Sequence, residues 1–160
     1  MDEYRILNLY SILEARTNAS ITALETQTVL DRLRAGNLPP EDAKVIIERL
    51  QAILSKCDYL RREPWKGSAN PLAGHCYVAS EALSHLLKAQ GKSGWVAQVA
   101  QVHGGPHWWL RHKETGEVLD PTASQFEGPV PYETGKNIGF LTKDPSKRAL
   151  HVLNKYFKRG

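Results

Sequence analysis

Three residues in the second half of the chain have types and settings suited to nucleophilic catalysis. Cys76 lies in Asn70-Pro71-Leu72-Ala73-Gly74-His75-Cys76-Tyr77, just ahead of a run with helically spaced apolar residues. At the first turn of a helix, unpaired backbone N–H groups and the helix dipole favour a thiolate, so the setting predicts a lowered thiol pKa. The same N–H groups, that of Cys76 included, can hold the oxyanion formed when a thiolate attacks a carbonyl. The amide of Asn70, six residues upstream, is the candidate second donor. Gly74 allows the backbone a close approach or a strained turn there. A thiolate needs a base within reach, and that base needs a carboxylate to orient it. His107 in His107-Trp108-Trp109-Leu110 and Asp120 in Asp120-Pro121-Thr122 supply those roles in chain order. Taken alone, Cys76 reads more readily as a buried structural cysteine beside a loop.

The remaining candidates are binding residues. Trp108 and Trp109 point to opposite faces of a strand, so one belongs to the core and the other lines a site. Tyr132, with Lys136 and Asn137 around Gly135, lies in a polar loop placed to cover a cleft. Lys147 and Arg148 fall at the start of a last helix, where backbone donors bind anions; capping by Ser146 is the simpler reading. His75 can tune Cys76 or simply fill a loop. His103 and His107 are separated by Gly104-Gly105-Pro106, which no helix spans, so a His-x-x-x-His zinc pair is not expected. No metal or other cofactor is implied.

These side chains need elements to hold them. The first 62 residues read as helices. Ile6, Leu9, Tyr10 and Leu13 make one stripe, and Thr22 with Glu25 forms a capping box before Leu30 and Leu33, with Gly36 as C-cap. Pro39-Pro40 opens a third helix, whose apolar face runs through Ile46, Leu50, Ile53, Cys57 and Leu60, with Cys57 a small core residue. After Glu63-Pro64-Trp65-Lys66-Gly67-Ser68 the texture changes. Cys76 to Gln90 predicts a helix stopped by Gly91, Trp95 to Val102 a strand, His107 to His112 a second and Val118 to Asp120 a third. The Gly104-Gly105-Pro106 stretch is read as a flexible loop. Asp144-Pro145-Ser146 starts a last helix running to about Phe157. The expected class is α+β with an antiparallel sheet, divided into a helical region at 1–62 and a core at 68–160. A three-residue turn with Gly116 as its bulge pairs His107 with Ala123 and sets Asp120 opposite Leu110. That is roughly 10 Å from His107 along the strand, so a different loop or a bulge must close the gap.

The joint order of these motifs resembles the transglutaminase-like branch of the papain-like cysteine enzymes. A Cys at a helix start, an apolar helix ending at Gly, a strand, His-x-Trp on the next and Leu119-Asp120-Pro121-Thr122 carry the likeness. Gly74-His75-Cys76-Tyr77 is similar to the Gly-x-Cys-aromatic motif of papain-like thiol proteases, in which a Gln six residues before the nucleophile helps form the oxyanion hole. Asn70 stands at that position here. The resemblance covers Asn70 to Thr122, about a third of the chain. It implies a papain-like or transglutaminase-like core, a Cys-bearing helix packed on a small antiparallel sheet. It also implies Cys76 as nucleophile, His107 as acid and base, and Asp120 as the residue orienting His107.

Composition bounds the rest. The chain has 160 residues, 41% apolar and 24% charged, the mix of an ordinary globular domain. No apolar run approaches the roughly 18 residues of a membrane span, and the acidic, amphipathic start does not read as a signal peptide. Two cysteines cannot make a disulfide scaffold, so a reducing, cytoplasmic setting is expected. The net charge is +4, yet residues 143–160 hold six basic residues against one acid, so that tail carries +5 and the other 142 residues sum to −1. The tail is either a solvated helix or a surface for nucleic acid or another anion. The expected function is a hydrolase or acyltransferase acting through Cys76 on a peptide, a protein side chain or a small amide or ester. The alternative is a non-catalytic nucleic-acid or protein-binding module using the basic helix.

Overall fold

The computed structural model describes residues 21–158. The stripe from Ile6 to Leu13 lies outside them, as does Arg159. Helix α1 spans Ala23–Ala35. Thr22 Oγ1 accepts from the Glu25 N–H at 3.0 Å and Glu25 Oε1 from the Thr22 N–H at 3.0 Å. These two bonds satisfy N–H groups that a helix start otherwise leaves without partners. Gly36, at φ 64°, ends the helix in the left-handed region. Helix α2, Ala43–Leu54, begins later than the proline pair suggested, because the Asp42 carboxylate takes the Lys44 N–H at 2.9 Å and caps it there. Its stripe outlasts it: Cys57 and the short 3-10 turn Asp58–Leu60 still turn Cys57 and Leu60 into the core with Ile46, Leu50 and Ile53.

Helix α3, Cys76–Ala89, is the centre of the molecule, buried on almost every side. Such a site favours small and aliphatic residues, and Ala79, Ala82, Leu83, Leu86 and Leu87 supply most of it, with Tyr77, Ser80 and Glu81 buried among them. It closes with Gly91 at φ 79°, whose N–H reaches Lys88 O while Lys92 N–H reaches Leu87 O, the two bonds of a Schellman stop.

Four strands form one antiparallel sheet: β1, Trp95–Val102; β2, Gly105–His112; β3, Val118–Leu119; and β4, Lys136–Asn137, in the spatial order β3-β2-β1-β4. The expected flexible loop before His107 is instead a two-residue hairpin turn. His103 and Gly104, at φ 51° and 84°, join Val102 to Gly105, so β2 begins two residues earlier and His107 sits rigidly opposite Ala100. Strand β4 replaces part of the expected polar loop; two residues, Lys and Asn, carry no strand signal of their own.

The sheet is covered on both faces. Ala97, Val99, Trp108 and Leu110 share a core with α1, α2, α3 and helix α4, Lys147–Lys158. Ala100, Val102 and Trp109 face the other way, under Val130, Phe126 and Tyr132 from the segment after β3. This is an α+β architecture with, among the described residues, four α-helices and a four-stranded antiparallel sheet. No helix among them is long and apolar enough to cross a membrane.

Candidate active site

The connection between β2 and β3 decides whether Asp120 can reach His107. His112 and Glu117 pair across a four-residue loop, Lys113 to Gly116, rather than the expected three-residue turn. The register becomes Leu110 opposite Leu119 and Arg111 opposite Val118. A shift of one residue flips every following side chain to the other face. Asp120 therefore falls opposite Trp109, on the face of His107, as a diagonal neighbour within reach of long side chains. His107 Nε2 lies 2.7 Å from Asp120 Oδ2, with the two side chains 1% and 3% exposed. No bulge is needed.

Asp120 is held from three sides. Oδ2 also accepts from the Tyr132 hydroxyl at 2.8 Å, and Oδ1 from the Thr122 N–H at 3.2 Å. The latter is the local turn that Asp makes two residues ahead of itself. Burial, then the bond to Asp120, raises the Tyr132 pKa. Tyr132 thus acts on the carboxylate rather than over a cleft. The 3-10 turn Ala123–Gln125 brings Gln125 back so that its Nε2 donates to His107 Nδ1 at 2.9 Å. The network fixes the imidazole with its proton on Nε2 toward Asp120 and its basic lone pair on Nδ1. Phe126 packs edge-on against the ring, centroids 4.7 Å apart.

Cys76 begins α3, and its sulfur lies 3.7 Å from Pro106 O. In β2 the even-numbered residues direct their backbone groups to the β3 side, as His112 N–H to Glu117 O shows, and the odd ones to β1, as Lys113 N–H to Gly94 O shows. Strand β3 pairs only with Leu110 and Arg111. Farther back this edge of β2 has no strand beside it among the described residues, and there the thiol docks, at Pro106 O and the Trp108 N–H, abreast of His107. Ser80, one turn along α3, fastens the helix to the same edge through Trp108 O at 3.2 Å.

The expected low thiol pKa is reversed. Burial pushes Cys76 up to about 12; the Trp108 N–H opposes this, the Asp120 charge adds to it, and the N–H groups of Tyr77 and Cys76 oppose it again. A thiol 8% exposed cannot ionise on helix-start dipoles alone. A thiol raised this far is protonated at neutral pH, so attack requires a base to remove the proton.

Cys76, Trp108, Gln125, Phe126, Trp65 and Arg62 are among the residues lining a cavity of about 270 Å³ at the hairpin end. Trp65 lies across it: a Cβ at Gly74, whose φ is 83°, would come within 2.5 Å of Trp65 Cβ. Arg61 shapes the approach to Cys76, donating to the carbonyls of Ser68, Asn70 and Ala73 and to Asp58 Oδ1.

Other sequence candidates lie elsewhere. Asn70 takes the Leu72 N–H on Oδ1 and turns Nδ2 to Ser124 O, so its amide shapes the loop instead of lining the cavity. Trp108 is buried beside the cavity, edge-on to Tyr77. Trp109 does not line the cavity: it is buried on the sheet face that carries His107, ring centroids 5.7 Å apart, with Nε1 on Gln98 Oε1 at 3.1 Å. The anion expected at the last helix start is internal: the Glu81 carboxylate takes the Ser146 N–H at 2.7 Å and its hydroxyl at 2.6 Å. Lys147 is exposed, while Arg148 is buried, its pKa lowered to about 10 by desolvation, so the pair does not form a surface grip. His75 is buried with its pKa lowered to about 4, by desolvation first and by Arg61 second.

Gln125 is the site residue that the sequence reading missed. Its only sequence signal was its place three residues after Thr122, too generic to single out. Among the described residues no group of three or more His, Cys, Asp or Glu is arranged to hold a metal ion. Comparison with known proteins gave no matching family model, no matching curated protein and no matching solved structure.

Proposed function

We propose that this chain is a cysteine-dependent hydrolase or acyltransferase with a papain-like or transglutaminase-like active site, acting on an amide or ester of a peptide, a protein side chain or a small molecule. The observation that carries this reading is the buried 2.7 Å bond from His107 to Asp120, which leaves Nδ1 as the basic nitrogen facing Gln125 at the cavity of Cys76. The Gln125 amide swings off Nδ1, and Nδ1 takes the proton of Cys76. Sγ bonds to the substrate carbonyl carbon, and its oxygen becomes an oxyanion held by N–H groups at the start of α3. Collapse expels the leaving group with the proton from His107, and water or an amine then cleaves the thioester by the reverse proton path. Asp120 holds the tautomer and stabilises the imidazolium, while Tyr132 and Thr122 hold Asp120.

The test uses iodoacetamide labelling and turnover of p-nitrophenyl acetate. Cys76 should label at neutral pH while the buried Cys57 does not, and His107→Ala should slow that labelling at least about tenfold. Cys76→Ala and His107→Ala should each lower ester turnover by about 10³-fold or more, as for groups that act as one unit. Labelling of Cys76 that is slow and indifferent to His107→Ala would remove the reading.

A second reading, a binding module for a polyanion, is favoured by one observation: Lys56, Lys155 and Lys158 border a groove of about 370 Å³ beside α4. Lys158 is already paired with Glu25. Binding of a DNA oligonucleotide that falls steeply with salt, in a Cys76→Ala protein as in the wild type, would support it.

A further inference from the structure

Among the described residues that line the cavity around Cys76, Arg62 is the one cation, and no ion pair holds it. Its Nε and Nη2 are shielded from solvent with no hydrogen-bond partner among the described residues. These two atoms form one edge of the guanidinium, the fork that grips a carboxylate through two parallel hydrogen bonds. Leaving such donors unmet is costly, and a native protein meets them with a protein group, a water, an ion or a bound ligand. Its neighbour Arg61 shows what a satisfied guanidinium looks like in the same loop, with five hydrogen bonds to Asp58, Ser68, Asn70 and Ala73. Glu63 also borders the cavity, but its side chain is exposed and makes no ion pair with Arg62. Trp65, Trp108 and Phe126 also line the cavity and offer flat apolar surface to the rest of a ligand.

Resting on the cysteine-enzyme reading above, we propose that Arg62 selects the substrate: an acyl compound of small size carrying a carboxylate, which the Arg62 guanidinium turns into the cavity to bind while its carbonyl meets Cys76. One cation matches a monoanion; a phosphate dianion would call for a second positive group, and the lining holds none. A volume of about 270 Å³ suits one amino-acid-sized acyl group with its carboxylate rather than a folded chain. A peptide would therefore enter by its C-terminal residue.

Two measurements separate this proposal from the one beneath it. The first compares alkylation of Cys76 by iodoacetate and by iodoacetamide. In both, Sγ bonds to the methylene carbon, iodide leaves and the thiol proton passes to His107 and then to buffer; the reagents differ in the carboxylate. The ratio of the iodoacetate rate to the iodoacetamide rate should fall at least tenfold in Arg62→Gln, with Arg62→Lys between the two. The second follows tryptophan fluorescence, since Trp65 and Trp108 line the cavity, during titration with hippurate and its neutral amide. Hippurate should bind saturably and more tightly than the amide, and Arg62→Gln should weaken it about tenfold or more. A rate ratio unmoved by Arg62→Gln, equal affinity for hippurate and its amide, or no saturable hippurate signal overturns the role of Arg62. Inorganic phosphate competing as well as hippurate overturns the carboxylate class. If neither reagent labels Cys76, the nucleophile fails, while the hippurate titration still decides Arg62.

Discussion

Glu81 offers a sharp test of how the helical layer is held. Its carboxylate is fully buried between α3 and the start of α4, and its only hydrogen bonds among the described residues come from the N–H and hydroxyl of Ser146. Burial raises its pKa to about 7 from the usual 4.5, the two Ser146 bonds opposing the shift. An acid raised in the folded state binds its proton more tightly there than in the unfolded chain. Stability from this group is therefore full below pH 4.5, falls as pH climbs to 7, and is flat above. A shift of that size is worth about 3 kcal/mol at 1.36 kcal/mol per unit. His75 and His85, both lowered to about 4 by burial, act in the opposite sense, losing stability as pH falls from 6.5. The total pH profile thus mixes signs, and the informative quantity is the difference between the wild type and Glu81→Gln. The amide keeps an acceptor for the Ser146 N–H and a donor for its hydroxyl, yet never ionises. Urea unfolding followed by tryptophan fluorescence should give similar stabilities at pH 4.5. By pH 8 the Gln protein should be ahead by about 3 kcal/mol relative to that starting point, roughly 6–12 °C in Tm for a domain of this size. A difference that stays flat from pH 4.5 to 8, or that favours the carboxylate at pH 8, would show that the helix start holds the charge well enough to cancel its desolvation.

Other expectations concern the site and its frame. Asp120→Asn should keep more ester turnover than His107→Ala, because orientation is lost while the reacting pair remains, and Tyr132→Phe should cost less again, about tenfold or under in kcat with KM unchanged. Arg61→Ala should cost about 3 kcal/mol or more in urea unfolding, since the carbonyls of Ser68, Asn70 and Ala73 lose their donor together. Gly74→Ala should destabilise by about 2 kcal/mol or more, and most of that should vanish in a Trp65→Ala background, leaving the roughly 1 kcal/mol of the left-handed backbone. If the double variant is as unstable as the single one, the indole is not what excludes a side chain at Gly74.

Much of the frame was legible because it is written in local signals. Thr22 and Glu25 announce a capped start, Gly36 and Gly91 announce stops, and the spacing from Ile46 to Leu60 marks a buried face even where the α-helix itself has ended. The alternation of Trp108 and Trp109 assigned them to opposite faces. What was not legible depends on partners distant in sequence. The thiol pKa is set by how deeply the end of α3 is buried, which no window around Cys76 contains. The anion at the start of α4 turned out to be Glu81, 65 residues away, and the Asn70 amide was claimed by Leu72 and Ser124. Arg62, beside the more conspicuous Glu63-Pro64-Trp65, is distinguished by its place at the cavity and by two guanidinium nitrogens that find no partner among the described residues.

The four-residue loop after His112 has a meaning beyond joining two strands. Exposed connections ordinarily gain or lose residues at little cost. Here the count of residues between His112 and Glu117 acts as an odd-even switch. One more or one fewer, if the turn keeps its four-residue form and β3 slides against β2 to absorb the change, presents Asp120 to the helical layer and leaves His107 with no carboxylate. Two more or two fewer restore the face but slide Asp120 along the strand. Protein engineers seeking to graft a tag or an epitope would find this the least forgiving turn on the surface, and relatives of this chain that keep the chemistry should keep its length while varying its letters freely.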